Sequence, residues 1–543
     1  MSDARAKRLS QDGSVEKAVI EVLEERSASP SSGVPAENQD AQLPSPPNLT
    51  EEEERRIWRK VDMRLLPILT IMYLVGSVDR SNIGYRLAVE GNAKLQGLLT
   101  ELELTGNKYN IALTMYFVVF VFDLHSPRQV CTPRVMLKVI LLLFIYVFLS
   151  LLLKKLRPSR WLPGVTLAWG IIATLMGLVK TYHQLLSLRV LLGIAEAGLP
   201  PGAFYFITMW YPRHMVQYRI GMFWGGATFA GAFSGLLAFA ISFMSGKAGL
   251  LGWSWIFIIE GLITIVVAIT AFFVLVDLPD TATFLTPEER AYVVHKKKYD
   301  NSSVGEEEHF ELRQLWETLT DWRVIVCALI NASVITPVYG ITLFLPSIIN
   351  GFGFNTVISQ LLSVPPYVVA TAAVIGWSKW SDNVKTRSPF ILSGLLLCLA
   401  GFVINVADVS IGVKYFGTFL VVIGSYAGFP GNVSWLGNNV VGHYRRGIAI
   451  GTQVMFANTG GAIACNIYRV QDAPRYLLGH LVEIGFVSMG LLLLPIVVVT
   501  YVRANARRDA LQREAEEKGM KVDYTPEELR RMGSNAPDFR FTL

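Results

Sequence analysis

The chain has 543 residues, 52% hydrophobic and only 17% charged, with a formal net charge of +6 and a mean hydropathy of +0.40. Ordinary globular proteins carry about 25% charged residues, so the composition excludes a soluble globular domain and indicates a membrane protein. The four cysteines, Cys131, Cys327, Cys398 and Cys465, are widely spaced and mostly inside apolar runs, which points to neither a disulfide framework nor a metal site.

In chain order, residues 1–60 are rich in Ser, Pro, Glu and Ala and contain no apolar stretch, so they are expected to be a disordered cytosolic tail and not a signal peptide. The first apolar run, LLPILTIMYLVGSVDRSNIG, carries Asp79 and Arg80 near its far end. One ionised side chain at the middle of a membrane helix costs roughly 2.5–3.5 kcal/mol, so such groups face a bundle interior or a watery cavity. Further runs fall at 109–153, 161–180, 185–211, 220–243 and 253–276, and then at 324–350, 358–380, 389–406, 414–437, 447–468 and 482–503. Each is read as a spanning helix, because lipid offers the backbone no hydrogen-bond partner.

Lysine and arginine cluster in alternate loops: at Lys154, Lys155, Arg157 and Arg160, at Arg213 and Arg219, at residues 296–298, at Lys385 and Arg387, and at Arg445 and Arg446. Such bias marks the cytoplasmic side, which puts both termini inside, and none of these clusters reads as a nucleic-acid surface. The break between the halves is a polar loop at 277–323. There Thr286, Pro287 and Glu289 form a helix start with Thr as cap, Pro at the first position and Glu at the third. A second short surface helix is expected near 310–319.

The expected fold is therefore an all-α membrane protein of the major facilitator superfamily type, about 12 transmembrane helices in two six-helix halves that rock around a midplane site. The divisions are 1–60, an N-terminal half at 61–276, the central loop at 277–323, a C-terminal half at 324–503, and a cytosolic tail at 504–543. The loop GWSKWSDNVKTRSP, with Asp382, Lys385 and Arg387, looks like the superfamily's loop signature and is expected to act in gating.

The runs VDMRLLPILTIMYLVGSVDRSNIG, LSLRVLLGIAEAGLPPGAFYFITMWYPR, GWSWIFIIEGL, SQLLSVPPYVVA, WLGNNVVGHYRR and NIYRVQDAPRYLLGH occur in one order. They resemble the fungal anion:cation symporter family, whose members include allantoate, nicotinate and pantothenate permeases. The resemblance implies proton-coupled movement of a small organic anion such as a carboxylate, vitamin or ureide. It departs from the family pattern at 85–91 and at 119–149, where a polar piece splits the second helix. Were both apolar parts of 109–153 to span, every later loop would change sides, so the extra stretch is read as a retained intron or a lineage-specific insertion.

The polar residues within the runs supply the expected pathway. Arg80 and Arg189 are candidate anion anchors, and Asp79, Glu196 and Glu260 are candidate proton carriers or bundle-facing acids. Arg189 and Glu196 lie seven residues apart, about two turns, on one helix face. Asn82, Asn438, Asn439, Gln453 and Asn458 offer neutral hydrogen bonds to a solute or between helices. Tyr339 and Tyr367 are candidate cavity aromatics.

With no GxxxxGK[ST] loop, and no HExxH or GxSxG motif, neither ATP-driven pumping nor membrane-embedded catalysis has support in the sequence. No cofactor is expected. The expected partners are a small organic anion, a proton and the lipid bilayer, for a monomer in the plasma membrane. Uptake by alternating access is the leading reading; export of a fungal secondary metabolite and a transporter-like nutrient sensor are the alternatives.

Overall fold

The computed structural model describes residues 49–83, 157–196, 198–298, 312–354, 356–468, 472, 475–518, 528, 532, 534 and 536–543. The segment expected to hold the second helix, the atypical stretches 85–91 and 119–149, and most of the expected N-terminal tail lie outside them. The described residues beyond that tail belong to one compact unit that starts at Pro46.

The first half contains α1 (Glu51–Ile83), α2 (Pro158–Met176), α3 (Tyr182–Glu196), α4 (Leu199–Trp210), α5 (Val216–Ser242) and α6 (Gly252–Val274). The central loop carries α7 (Pro287–Lys298) and α8 (Leu312–Thr320). The second half is α9 (Trp322–Asn350), α10 (Thr356–Val384), α11 (Ser388–Val406), α12 (Ile411–Asn439), α13 (His443–Ile467) and α14 (Leu477–Glu517). No strand occurs among the described residues, and every expected span outside 109–153 is helical.

Eight stretches among the described residues are long and apolar enough to cross a bilayer. Their outward faces keep large apolar side chains exposed, including Val266, Phe273, Leu361, Leu396 and Leu492, which is the reverse of a water-soluble surface and suits lipid.

One boundary differs from expectation for an identifiable reason. α1 starts at Glu51, well before residue 61, because Thr50 and Glu53 form a reciprocal cap: the Thr50 N–H donates to Glu53 Oε2 at 2.9 Å and the Glu53 N–H to Thr50 Oγ1 at 3.4 Å. The expected run at 185–211 corresponds to one apolar stretch, Tyr182–Trp210, long enough to cross a bilayer. Within it Gly198, in helical backbone geometry, precedes α4, whose first residues include Pro200 and Pro201.

The cap expected at α7 is present, with the Thr286 N–H donating to Glu289 Oε2 at 3.1 Å and the Glu289 N–H to Thr286 Oγ1 at 3.2 Å. Glu289 also pairs with Lys60 of α1, so the central loop is fastened to the first helix. α8 holds α13 in the same way, through Glu317 and Arg445.

Helices pack through small residues, which let backbones approach where lipid gives no hydrophobic drive to association. A Cβ on Gly401 would lie 2.6 Å from the Gly417 carbonyl oxygen, and one on Gly424 would lie 2.5 Å from the Gly394 oxygen, so α11 and α12 touch along a glycine seam. α2 and α6 meet likewise, since a Cβ on Gly261 would be 2.8 Å from the Gly170 oxygen.

Two predictions follow from this packing. Gly401→Leu forces backbone apart between α11 and α12 and is expected to cost about 1–3 kcal/mol, read as a lower midpoint in thermal unfolding of the detergent-solubilised protein. Burial of Glu289 pushes its pKa up, but the bonds from Lys60 and the Thr286 N–H, with Arg56 nearby, outweigh this and hold the pKa below the ordinary carboxylate value. The stabilisation is therefore full above the unfolded-state pKa and is lost as pH falls through the lowered folded one. Hydrogen exchange across 286–298 should accelerate in that acid window, and in Glu289→Gln it should be fast already at neutral pH.

Candidate functional site

The two halves meet along α5 and α10. Gly221, Gly225 and Gly231 of α5 face Ser378, Ile375 and Tyr367 of α10; a Cβ at these glycines would lie 2.3, 3.7 and 3.0 Å from the respective side chains. One glycine stripe thus lets the halves come into close contact over several turns.

At the end of this seam that carries the basic loops, the signature loop forms a buried ionic junction. Arg387 is fully buried and its Nη1 lies 2.6 Å from Asp382 Oδ1. The other oxygen of Asp382 accepts the Tyr218 N–H at 2.8 Å, in the first turn of α5. Asp382 therefore caps a helix of the opposite half, where an anion is favoured by the unpaired N–H groups and the helix dipole.

Arg387 Nη2 donates to the Arg213 carbonyl at 3.0 Å, and Ser381 Oγ lies 2.6 Å from Gln217 Oε1. Arg213 in turn donates from Nε to the Asn438 carbonyl at 2.8 Å, while Asn438 Nδ2 donates to the Arg213 carbonyl at 3.0 Å. Burial alone pushes the Arg387 pKa down from its ordinary value, and Asp382 opposes this by favouring the charged form. Lys385 stands apart: it is exposed and takes a positive φ of 58°, which terminates α10.

The last residues of the chain complete this junction, a role that nothing in the sequence reading anticipated. Asn439 Nδ2 donates to the Thr542 carbonyl at 3.1 Å and Asn439 Oδ1 accepts the Thr542 N–H at 2.8 Å. Trp435 Nε1 also donates to that carbonyl, at 2.7 Å, and the Arg387 N–H donates to the Leu543 carbonyl. Asn505 grips Phe541 through both its N–H and its carbonyl, at 2.9 and 2.8 Å. The Phe541 ring stacks on Tyr501 at 4.4 Å, and Arg213 sits over Phe539 at 4.8 Å. The signal available in the sequence was FRF, two rings around a cation in an otherwise charged tail.

Further along the seam the contact becomes aromatic. Trp224 of α5 lies 3.9 Å from Phe429 and 6.2 Å from Tyr426, centroid to centroid, both on α12. Phe204 of α4 reaches Phe429 at 5.6 Å, Tyr73 of α1 stacks on Phe223 at 4.4 Å, and Tyr367 of α10 meets Tyr426 edge-on at 6.0 Å. Beside this cluster, Tyr339 donates to Asn458 Oδ1 at 2.9 Å, and Thr342 Oγ1 lies 2.7 Å from the Tyr426 hydroxyl. Asn331, Asn432 and Gln453, all fully buried, bind α9, α12 and α13 together: Asn432 Nδ2 to Asn331 Oδ1 at 3.1 Å, Asn331 Nδ2 to the Gln453 carbonyl at 3.2 Å, and Gln453 Nε2 to the Asn432 carbonyl at 3.2 Å.

Of the residues singled out in the sequence, Tyr339, Asn458 and Tyr367 come together at or beside the aromatic seam. Gln453 lies in the amide triad of the second half, and Asp382, Arg387, Asn438 and Asn439 meet at the basic end. Arg189 and Glu196 are 4% and 5% exposed and share the buried face of α3 with Leu185, Leu192 and Gly193. Glu260 lies on the buried face of α6, 3% exposed. Asp79, Arg80 and Asn82 fall in the last turns of α1, and their side chains lie outside the described residues.

The sequence profile of the Major Facilitator Superfamily matches residues 105–465. The chain belongs to this superfamily. Among its relatives are the MFS-type transporter cnsO of Penicillium expansum, 33% identical over 506 residues that cover 90% of each chain, and the high-affinity nicotinic acid transporter of Saccharomyces cerevisiae, 29% identical over 504 residues that cover 92% of this chain and 87% of the relative. Among solved structures, a bacterial homologue of the human lysosomal transporter Spinster, inward-facing and unoccupied, aligns with a TM-score of 0.55 at 14% identity over 84% of this chain and 98% of that one. This likeness supports the superfamily fold. The protein is accordingly a multi-pass membrane transporter.

Removing one member of a buried ion pair typically costs about 3–5 kcal/mol. Arg387→Ala is thus expected to lower thermal stability strongly, with Asp382→Asn/Arg387→Gln recovering much of the loss in the same unfolding assay. Deleting residues 536–543 should leave the bundle folded while a cysteine placed at Asn439 reacts several-fold faster with a membrane-impermeant maleimide.

Proposed function

We propose that this transporter carries a small organic anion, accompanied by a proton, by alternating access across the plasma membrane, in the uptake direction. The observation that carries the reading is the aromatic seam. Rings from both halves, Trp224 and Phe204 on one side and Tyr426, Phe429 and Tyr367 on the other, line a single stretch of the interface. A planar solute between them would touch both halves at once, as a carrier that rocks around its cargo requires. Such rings also favour offset or edge-on stacking against a planar partner.

The charge complement fits the same cargo. Buried Arg189 and, from the sequence, Arg80 offer attraction to a carboxylate, while Glu196, Glu260 and Asp79 are acids positioned in the membrane where protonation removes the cost of burying their charge. The nicotinic acid transporter among the relatives has a planar aromatic carboxylate in its name, and nicotinate is the first probe to try.

The test is uptake of radiolabelled nicotinate and a panel of other carboxylates and ureides by a transport-deficient host expressing the full chain, at external pH 5 and 7 and with a protonophore. Saturable uptake that is faster at acid pH and abolished by the protonophore is expected. Arg189→Ala should abolish it in correctly inserted protein, and Trp224→Ala should raise the KM about fivefold, equivalent to ~1 kcal/mol for a lost aromatic contact. Uptake insensitive to the gradient, or untouched by both substitutions, refutes the reading.

A further inference from the structure

α14 buries one stripe: Gly479, His480, Glu483, Val487, Gly490, Leu494, Val497 and Tyr501. From His480 onward the spacing alternates between three and four residues, the seam of a packed helix, and at one of its inward positions stands an acid. Glu483 is fully buried. Among the described residues neither of its carboxylate oxygens has a hydrogen-bond partner, and no lysine or arginine pairs with it. A buried carboxylate with no counter-charge is strongly disfavoured as an ion, whereas the neutral acid is tolerated.

Its position is built and not incidental. On α9 the residue facing it is Gly340, where a Cβ would lie 2.3 Å from Glu483 Oε1, so a side chain there would displace the carboxyl. Among the described residues, the titratable groups beside it are Cys398 from α11 and Tyr468 from the end of α13, and the Tyr468 ring meets His480 and Tyr476 at the start of α14. The Tyr468 hydroxyl lies 3.3 Å from His480 Nδ1, and the Tyr468 ring stacks on Phe344 of α9 at 4.8 Å. Gly340 directly follows Tyr339, whose hydroxyl binds Asn458 beside the aromatic seam.

We propose that Glu483 is a proton-binding site in the second half, occupied in this conformation, and that its proton controls the packing of α14 against α9. With the proton bound, the neutral carboxyl fills the notch at Gly340. Once the proton leaves, the anion cannot remain there, so α14 must part from α9 or admit water, and α9 carries that movement to Tyr339. The Tyr468–His480 pair is the protonatable route toward the end of the bundle where α14 begins. The transport role of this proton rests on the carrier reading above; the binding of the proton does not.

The experiment is infrared difference spectroscopy of the purified full-length protein through a pH titration, following the C=O stretch of protonated carboxylic acids. The wild type should show a buried-acid band at pH 7 that is missing in Glu483→Gln and shifted in Gly340→Ala. Identical bands in all three proteins, or no such band in the wild type at pH 7, overturn the proposal. If Glu483→Gln cannot be purified, Gly340→Ala decides alone, and an unshifted band overturns it. In cells, Glu483→Gln should exchange nicotinate across the membrane while its gradient-driven accumulation falls to the protonophore-treated level; full accumulation overturns the coupling role. A wild type that moves no nicotinate yet shows the Glu483 band refutes the substrate reading and leaves the proton site standing.

Discussion

The closed basic end of this transporter depends on a charge that belongs to one half and is satisfied by the other. Asp382 sits in the second half, yet its carboxylate is divided between Arg387 and the first-turn N–H of Tyr218 in α5. A buried pair of this kind offers little net stabilisation over apolar packing. Its value is in specifying geometry, because the same carboxylate cannot keep both partners unless the two halves stand in one relative position. The Arg213–Asn438 exchange and the glycine stripe of α5 then follow as short contacts that only this position permits.

The aromatic seam and the basic end are mechanically one object. They lie on the same two faces, α5 against α10 and α12, so the junction that locks the end also sets how closely Trp224 approaches Phe429. A carrier that opens here must break ionic and amide bonds at the end and separate stacked rings further in. The cost of either alone would be modest. Coupled through stiff helices, they favour two discrete arrangements over a continuum.

Much of the architecture was legible in the sequence because lipid allows so few solutions. Apolar runs of spanning length, basic loops in alternation and a polar break after Val276 leave little freedom, and the Thr286–Glu289 cap could be read from residue types alone. The one shifted boundary was also local: the Thr50 cap is short-range chemistry that a hydropathy reading passes over. The site was harder. Asn438 and Asn439 were recognisable as buried amides, but their partners, Arg213 and Thr542, are far away in sequence. Glu483 was invisible for a related reason, since a single acid near a helix start looks like a surface residue until Gly340 is seen opposite it.

The docked C-terminal segment also has a consequence for how the molecule is made. α14 has 41 residues, about 60 Å at 1.5 Å per residue, so it outruns the bilayer and the chain must double back along it before Thr542 can reach Asn439. Chains emerge vectorially, and residues 536–543 follow α1 to α14. The helices are therefore made before the segment that seals the basic end, and those contacts form only once residues 536–543 have emerged.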